Sequence, residues 1–194
     1  LTPRPLRNPV NLTMKQSELI WSNGKLVPWQ DATVHVMAHA LHYGSSVFEG
    51  MRCYQTHQGP AIFRHHAHIC RLLDSAKLYR IGVPFSADEI MQGCRDAVAK
   101  NGLTEAYLRP LIFLGAGSLG VVPSADVPVE VIIAAVAMGA YRGEEGLTQG
   151  IDVCVSSWSR TTSAAIPVLA KAGGHYLNAQ LIGGEARRHG YQEG

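Results

Sequence analysis

Paired cysteines and long apolar runs are both absent from this sequence of 194 residues. Its four cysteines lie far apart and form no C-x-x-C pair, which argues against a zinc knuckle or a disulfide framework and favours a reducing, cytoplasmic setting. No apolar stretch reaches the length of about 20 residues that a membrane-spanning helix needs. Prolines also interrupt the N-terminal segment where a secretory signal would need an apolar core. We therefore expect no membrane partner.

A surplus of charge of either sign is missing as well. Lys+Arg 17 against Asp+Glu 15 gives a net charge of +2 at pH 7, which is too balanced for the basic surface that nucleic acid requires. Hydrophobic residues make up 46% of the chain, enough to build a core. The composition indicates a globular protein without a nucleic-acid partner.

Strand-like and helix-like hydrophobic patterns are both present, which predicts an α+β fold. Residues 19–28 indicate two short strands about an Asn-Gly turn, and residues 45–63 indicate two further extended runs. From Arg64 onward apolar residues recur at i, i+3, i+4 and i+7, which predicts a helix of about four turns. A capping box formed by Ser86 and Glu89 predicts a second helix that ends near an Asn-Gly pair.

The composition changes after two segments rich in β-branched residues, 106–116 and 129–138, which we predict to be strands of one sheet. The stretch GAYRGEEGLTQG then contains four glycines and no apolar run, as expected of a linker. Beyond it, IDVCVSSW indicates a strand and residues 175–189 a helix, too little to enclose a core. We therefore divide the chain into a flexible extension (1–13), a small α/β domain (14–138), an interdomain linker (139–150) and the first part of a larger, truncated β-rich domain (151–194).

The segment GAGSLG, residues 115–120, matches the G-x-G-x-x-G pattern of dinucleotide-binding loops. That motif should open a helix, yet two prolines follow it, and no acidic residue lies at the distance of about 20 positions that ribose binding needs. We predict a flexible loop and no nucleotide site.

Histidines recur at His35, His39 and His42, a spacing that on a helix would share one face and could hold a metal. However, the chain has no H-E-x-x-H core, and predicted strands bound this segment. We expect structural or surface histidines and no metal site.

Several other polar and aromatic side chains need no function when taken alone. Arg71 points away from the apolar stripe of its helix and could pair with Asp74 at i+3 on the solvent side. Aromatic residues in or beside the predicted strands would be half-buried core residues by default. They are Tyr43, Phe48, Tyr107 and Tyr141.

Lys171 is different because it lies among small apolar residues, directly before two glycines and a predicted helix. Apolar surroundings and the positive end of a helix both favour the uncharged amine. The uncharged amine is the form that attacks a carbonyl carbon to form an imine. Lys171 is therefore a candidate nucleophile, and the alternative is a lysine that extends from a loop into solvent.

Three segments carry a resemblance to a known family: VHVMAHALHYGSSVFEGMRCY, YLRPLIFLGAG and AKAGGHYLNAQLIGGEARRHGYQEG. They look like those of the bacterial branched-chain amino acid aminotransferases, which are fold-type IV enzymes that use pyridoxal 5′-phosphate. The similarity runs from about Ile20 to Gly194. It implies an α+β fold-type IV architecture, a homodimer-based oligomer, and transfer of the amino group of leucine, isoleucine or valine to 2-oxoglutarate.

The same resemblance implies roles for cofactor-binding residues. Lys171 would form an imine with pyridoxal phosphate and move the proton at the substrate Cα. Tyr176 would hydrogen-bond the phenolic oxygen of the cofactor. Arg71 would bind its phosphate, for which a planar guanidinium is well suited.

For the substrates, the resemblance implies a pocket that accepts both aliphatic and acidic side chains. Its wall would be formed by Tyr43, Phe48, Tyr107, Met138 and Tyr141. Arg109 would bind the distal carboxylate of glutamate, and Arg52 would organise this part of the site. Val121 would reach the pocket of a neighbouring subunit.

Two departures from the family remain. Met138 stands where close family members carry a tryptophan, which would alter the pocket wall. The chains of the family also continue beyond the position of Gly194 with residues that hold the cofactor ring, the phosphate and the substrate α-carboxylate, so the site is expected to be half built here. Alternatives are a related enzyme, such as a D-amino acid aminotransferase or an aminodeoxychorismate lyase, or a catalytically silent fragment that dimerises or binds metal.

Overall fold

The computed structural model describes residues 15–137 and 150–194. The predicted extension at residues 1–13 lies outside the described residues, as does the predicted linker at 139–150 apart from Gly150. The fold is α+β, as expected, and its centre is an antiparallel sheet within residues 15–137.

Seven strands form the sheet in the described part of the chain. They are β1 (Leu19–Ser22), β2 (Lys25–Pro28), β3 (Ser46–Phe48), β4 (Met51–Thr56), β5 (Gly59–Ile62), β6 (Ala106–Leu114) and β7 (Val129–Val136). Their order across the sheet is β2-β1-β7-β6-β4-β5, and β3 pairs with β6 on the same edge as β4. The predicted turn between β1 and β2 is confirmed, because Asn23 and Gly24 both have positive φ, 49° and 91°, as a tight Asn-Gly hairpin requires.

Four α-helices accompany the sheet in these residues: α1 (His39–Tyr43), α2 (His65–Leu78), α3 (Ala87–Lys100) and α4 (Tyr176–Arg188). The predicted capping box of α3 is confirmed, since the Ser86 N–H donates to the Glu89 carboxylate over 2.7 Å and the Glu89 N–H donates to Ser86 Oγ. None of the helices in the described ranges is long and apolar enough to cross a membrane.

The core lies between the sheet and the helices α2 and α3. Helix residues such as Leu72 and Ile90 and strand residues such as Leu108, Ile112 and Ile133 are fully buried there in one cluster. Burial of this apolar surface is what holds the two helices against the sheet. The opposite face of the sheet is therefore available for a site.

The strand predicted at residues 151–158 was wrong. In the described chain this segment makes one isolated bridge, between Val153 and Glu193, instead of a ladder. A strand forms only where a neighbour satisfies its backbone groups over several residues. Here two backbone hydrogen bonds connect the segment to Gln192 and Glu193, and the Glu185 carboxylate on α4 accepts further hydrogen bonds from Ser156 and Ser157.

Candidate active site

Strand register brings four of the predicted residues to one face of the sheet. Arg52 on β4 lies opposite Tyr107 on β6, and Phe48 on β3 lies opposite Leu111. Directly opposed residues share a face, and so do residues two apart on one strand. Phe48, Arg52, Tyr107 and Arg109 therefore face the same way, away from the helices α2 and α3.

Lys171 reaches this region on a segment that runs along β3. The Phe48 N–H donates to the Lys171 carbonyl over 3.0 Å, and Ala172 forms a bridge with Val47. The Lys171 N–H in turn donates to Ser75 Oγ over 3.0 Å. The lysine backbone is thus fixed by both β3 and α2, although these elements are distant from it in the sequence.

The two glycines after the lysine allow this close approach. A Cβ at Gly173 would collide with Ser46 Oγ, far inside contact distance. Gly44, which ends α1 with a left-handed φ of 69°, packs directly on Gly174. Small residues are therefore needed at this crossing, which explains the Gly-Gly pair beside Lys171.

The Lys171 amine lies beside two aromatic rings. Its Nζ donates to the Tyr176 hydroxyl over 2.6 Å and lies 4.9 Å from the centre of the Phe48 ring. The Phe48 and Tyr176 rings are themselves 4.9 Å apart and tilted by 53°. A half-buried primary amine with one phenol partner is an arrangement suited to imine formation and proton transfer.

A guanidinium group also lies over the Phe48 ring. The Arg109 guanidinium carbon is 4.5 Å from the ring centre, and Arg109 Nη2 donates to the Tyr107 hydroxyl over 2.7 Å. Tyr107 can adopt this position because Gly50 has no side chain; a Cβ at Gly50 would collide with the Tyr107 hydroxyl oxygen. The same aromatic ring thus contacts two nitrogen-bearing groups, the Lys171 amine and the Arg109 guanidinium.

Arg71 pairs with Glu49, and the pairing with Asp74 considered from spacing was wrong. Its Nε and Nη2 donate to the two Glu49 carboxylate oxygens over 2.5 and 2.7 Å. Asp74 is solvent-exposed, where an ion pair gains little. The Glu49 carboxylate is fully buried and needs a charged partner.

The Arg71 and Lys171 segments are joined through Ser75. Ser75 Oγ donates to the Arg71 carbonyl over 2.8 Å while it accepts the Lys171 N–H. The structure therefore brings together Lys171, Tyr176, Phe48, Arg109 and Tyr107 by direct contact, and it links Arg71 to them through one serine.

The glycine-rich segment 115–120 does not open a helix, as predicted from its prolines. The Tyr43 hydroxyl donates to the Leu119 carbonyl over 2.6 Å, so Tyr43 contacts this loop. Val121, which follows the motif, is 73% exposed. Neither residue is part of the direct contacts around Lys171, and Met138 and Tyr141 lie outside the described residues.

His39 holds the same loop to α1. Its Nε2 donates to the Gly120 carbonyl over 3.0 Å, and its Nδ1 lies 2.6 Å from Ser45 Oγ. Both ring nitrogens are engaged in structural hydrogen bonds. Within residues 15–137 and 150–194 no group of three or more His, Cys, Asp or Glu side chains could hold a metal ion.

A cleft of about 140 Å³ is lined in part by Tyr176 and by other residues of α4. Its polar lining residues include Arg160, Thr161, His175 and Asn178. Sequence reasoning missed Arg160, Ser75 and Glu49. Two local signals could have indicated candidates: an arginine in a run of small polar residues shortly before Lys171, and a glutamate within the apolar VFEG segment.

Comparison with known proteins places this site in a family. The sequence pattern of the family described as Amino-transferase class IV matches residues 46–194, which includes every residue of the cluster around Lys171. The chain belongs to the class IV aminotransferases.

Individual class IV relatives are similar over most of the chain. The branched-chain-amino-acid aminotransferase of Escherichia coli (strain K12) is 59% identical over 183 residues, covering 94% of this chain and 59% of that protein. The protein of the same name from Pseudomonas aeruginosa is 48% identical over 90% of this chain and 57% of its own length. The chain thus spans less than two thirds of the curated relatives it matches.

Solved structures of class IV relatives have the same fold. A crystal structure of the E. coli branched-chain amino acid aminotransferase superposes with a TM-score of 0.89 at 59% identity, over 91% of this chain and 58% of that chain. The branched-chain amino acid aminotransferase of T.th. with pyridoxamine 5′-phosphate has a TM-score of 0.86 at 44% identity, over 91% and 58% of the respective chains. Other structures of the T.th. enzyme contain N-(5′-phosphopyridoxyl)-L-glutamate or 4-methylvaleric acid. The expectation of a fold-type IV architecture is confirmed.

Proposed function

We propose that the protein to which this chain belongs transfers the amino group of leucine, isoleucine or valine to 2-oxoglutarate, and back, with pyridoxal 5′-phosphate as its cofactor. The observation that carries this proposal is the Lys171 amine, which contacts the Phe48 ring and the Tyr176 hydroxyl, with the Arg109 guanidinium over the same Phe48 ring. The identity to branched-chain aminotransferases supports it independently.

The residues present fit the cofactor. Lys171 offers an amine for its aldehyde, Tyr176 a hydroxyl within reach of that amine, and Arg71 a guanidinium for its phosphate. Two of the five guanidinium N–H donors of Arg71 bind Glu49, so three remain for an anion. When bound, pyridoxal phosphate supplies an electron-withdrawing ring that lowers the cost of removing a proton from the substrate Cα.

Lys171 would hold and move that proton. Removal of a proton from carbon needs a base within hydrogen-bond reach, and return of the proton needs the same group in its acidic form. The Tyr176 hydroxyl keeps the amine in one place, and the Phe48 ring excludes water from one side of it. Both contacts restrict the motion of the Lys171 amine, and a misplaced amine would transfer the proton more slowly.

The pocket chemistry accounts for two unlike substrates. An aliphatic side chain can pack against Phe48, whereas the γ-carboxylate of glutamate can bind the Arg109 guanidinium beside it. The two ligand types in the structures of the T.th. enzyme, one acidic and one aliphatic, are consistent with this division. Tyr43, Arg52, Met138 and Tyr141 would complete the wall, with Val121 provided by a second subunit of a cytoplasmic homodimer-based oligomer.

A substrate panel tests the proposal. The purified full-length gene product should form glutamate from 2-oxoglutarate when L-leucine, L-isoleucine or L-valine is the donor. D-alanine should give no product. Transamination of D-alanine without turnover of L-leucine would overturn the proposal and favour a D-amino acid aminotransferase.

Replacing Arg109 should separate the two substrate classes. Arg109→Met keeps an apolar stem over Phe48 but removes the guanidinium, so the KM for 2-oxoglutarate should rise about 10- to 100-fold, the worth of one charge-assisted hydrogen-bonded pair. The KM for the 2-oxo acid of leucine should change little. Steady-state kinetics with both oxo acids measure the difference.

Two further variants are the controls for Arg109. Arg109→Lys should fall between wild type and Arg109→Met because lysine keeps the charge and loses the planar fork. Arg95→Met, on the exposed side of α3, should leave both KM values unchanged. An equal rise for both oxo acids would contradict a role for Arg109 in carboxylate selection.

A further inference from the structure

Glu49 is a fully buried carboxylate at the junction between β3 and β4. Its own N–H donates to the Pro110 carbonyl on β6 over 2.9 Å, which anchors the backbone at this point. Buried carboxylates are rare because they lose hydration, and they persist when charged partners compensate for it. Nothing in the direct contacts of Lys171 uses this group, so its presence calls for another role.

Two cationic or ionisable side chains of α2 converge on Glu49. Arg71 donates two hydrogen bonds to it, and His68 Nδ1 lies 2.9 Å from one carboxylate oxygen. Burial would raise the pKa of the Glu49 carboxyl, but these hydrogen bonds outweigh burial and hold the pKa below its ordinary value. Glu49 therefore stays charged and gives Arg71 a fixed partner.

The Arg71 guanidinium is held by Glu49 on one edge and is exposed to solvent on the rest. Its side chain is 53% exposed although two of its N–H groups are bound to a carboxylate that is 0% exposed. Its turn of α2 lies beside the Lys171 segment, because Ser75 Oγ donates to the Arg71 carbonyl and accepts the Lys171 N–H. A free arginine would lose much rotamer freedom on binding an anion, and one already held by Glu49 has lost it on folding.

We propose that Glu49 is a positioning residue that orients the Arg71 guanidinium so that its remaining N–H groups bind the phosphate of the cofactor. This inference rests on the proposed function for the identity of the phosphate carrier. The alternative role for Glu49 is to neutralise the charge of Arg71. In that case, removing the charge of Glu49 would tighten phosphate binding. The two roles therefore predict opposite signs.

Comparison of two cofactor forms provides the test. Kd values of pyridoxal 5′-phosphate and of pyridoxal, which lacks the phosphate, are measured by absorbance titration of the cofactor-free, full-length gene product. Glu49→Gln should weaken pyridoxal phosphate binding about tenfold, the usual scale for losing a residue that orients a ligand. It should leave the Kd of pyridoxal unchanged, because pyridoxal does not use Arg71.

Matched variants complete the design. Glu89→Gln, a carboxylate in the capping box of α3, should change neither Kd. Arg71→Gln should weaken pyridoxal phosphate binding, and adding Glu49→Gln to it should cause no further loss, because Glu49 acts through Arg71. If Glu49→Gln does not fold, Glu49→Asp, which withdraws the carboxylate by one methylene, should show the same selective loss.

Four results would overturn the inference. Equal weakening of both ligands would indicate a general structural role, and tighter phosphate binding would indicate neutralisation. Unchanged phosphate binding would indicate that Glu49 does not orient Arg71, and a further loss in the double variant would indicate a role independent of Arg71. Failure of the proposed function is distinguishable: the selective loss would persist in a protein that binds pyridoxal phosphate but does not transaminate L-leucine. A wild-type protein without affinity for pyridoxal phosphate would overturn both.

Discussion

Lys171→Ala should lower transamination of L-leucine by at least about a thousandfold, because it removes both the nucleophilic amine and the group that transfers the proton. The remaining site still contains Phe48, Tyr176 and Arg109, so the fold and part of the ligand affinity should persist. Steady-state rates give the first measurement. Borohydride reduction in the presence of pyridoxal phosphate, followed by peptide mass spectrometry, gives the second measurement. Imine formation releases water and reduction adds two hydrogens, so the Lys171 peptide should gain the mass of the cofactor less one oxygen atom.

Lys77→Ala is the control for that experiment. Lys77 is exposed in the last turn of α2, where it should neither carry the label nor affect the rate. Circular dichroism should show both variants folded. Labelling of another lysine with full activity in Lys171→Ala would contradict the assignment of the nucleophile.

Leu72→Ala should lower the free energy of unfolding by about 3 kcal/mol, within the usual range for truncation of a buried leucine. Leu72 is 0% exposed and lies in the cluster between α2 and the sheet. The neighbouring turn of α2 carries Arg71 and Ser75, so the cavity would also loosen the support of the site. Urea denaturation followed by circular dichroism measures the change in midpoint.

Leu78→Ala on the same helix is the matched control. Leu78 is 49% exposed at the end of α2, so its truncation leaves no enclosed cavity. Its effect should be well under that of Leu72→Ala. Equal effects of the two substitutions would mean that α2 is not held by the face containing Leu72.

The local elements of the fold could be predicted from the sequence because their signals are contained in a few neighbouring residues. The Asn23-Gly24 turn and the Ser86 capping box are such cases, and both are confirmed. The strand expected at residues 151–158 failed because strand formation depends on a distant partner, which the β-branched pattern does not specify.

The site likewise contains some features that the sequence predicts and others that depend on the tertiary fold. The apolar surroundings and glycines of Lys171 were visible in the sequence, whereas its contacts with Phe48 and Ser75 depend on how β3 and α2 pack. The pairing of Arg71 was predicted wrongly because helical spacing detects Asp74 on the same element but not Glu49 on a strand junction. Long-range partners of charged residues are set by the tertiary fold.

The shared position of Phe48 has a consequence for protein engineering. Its ring contacts both the Lys171 amine and the Arg109 guanidinium. A mutant library that enlarges the pocket by trimming Phe48 would therefore disturb the reactive nitrogen together with the acid-binding arginine. Selectivity is better altered from Tyr107, which touches Arg109 but whose removal leaves the aromatic support of the amine in place.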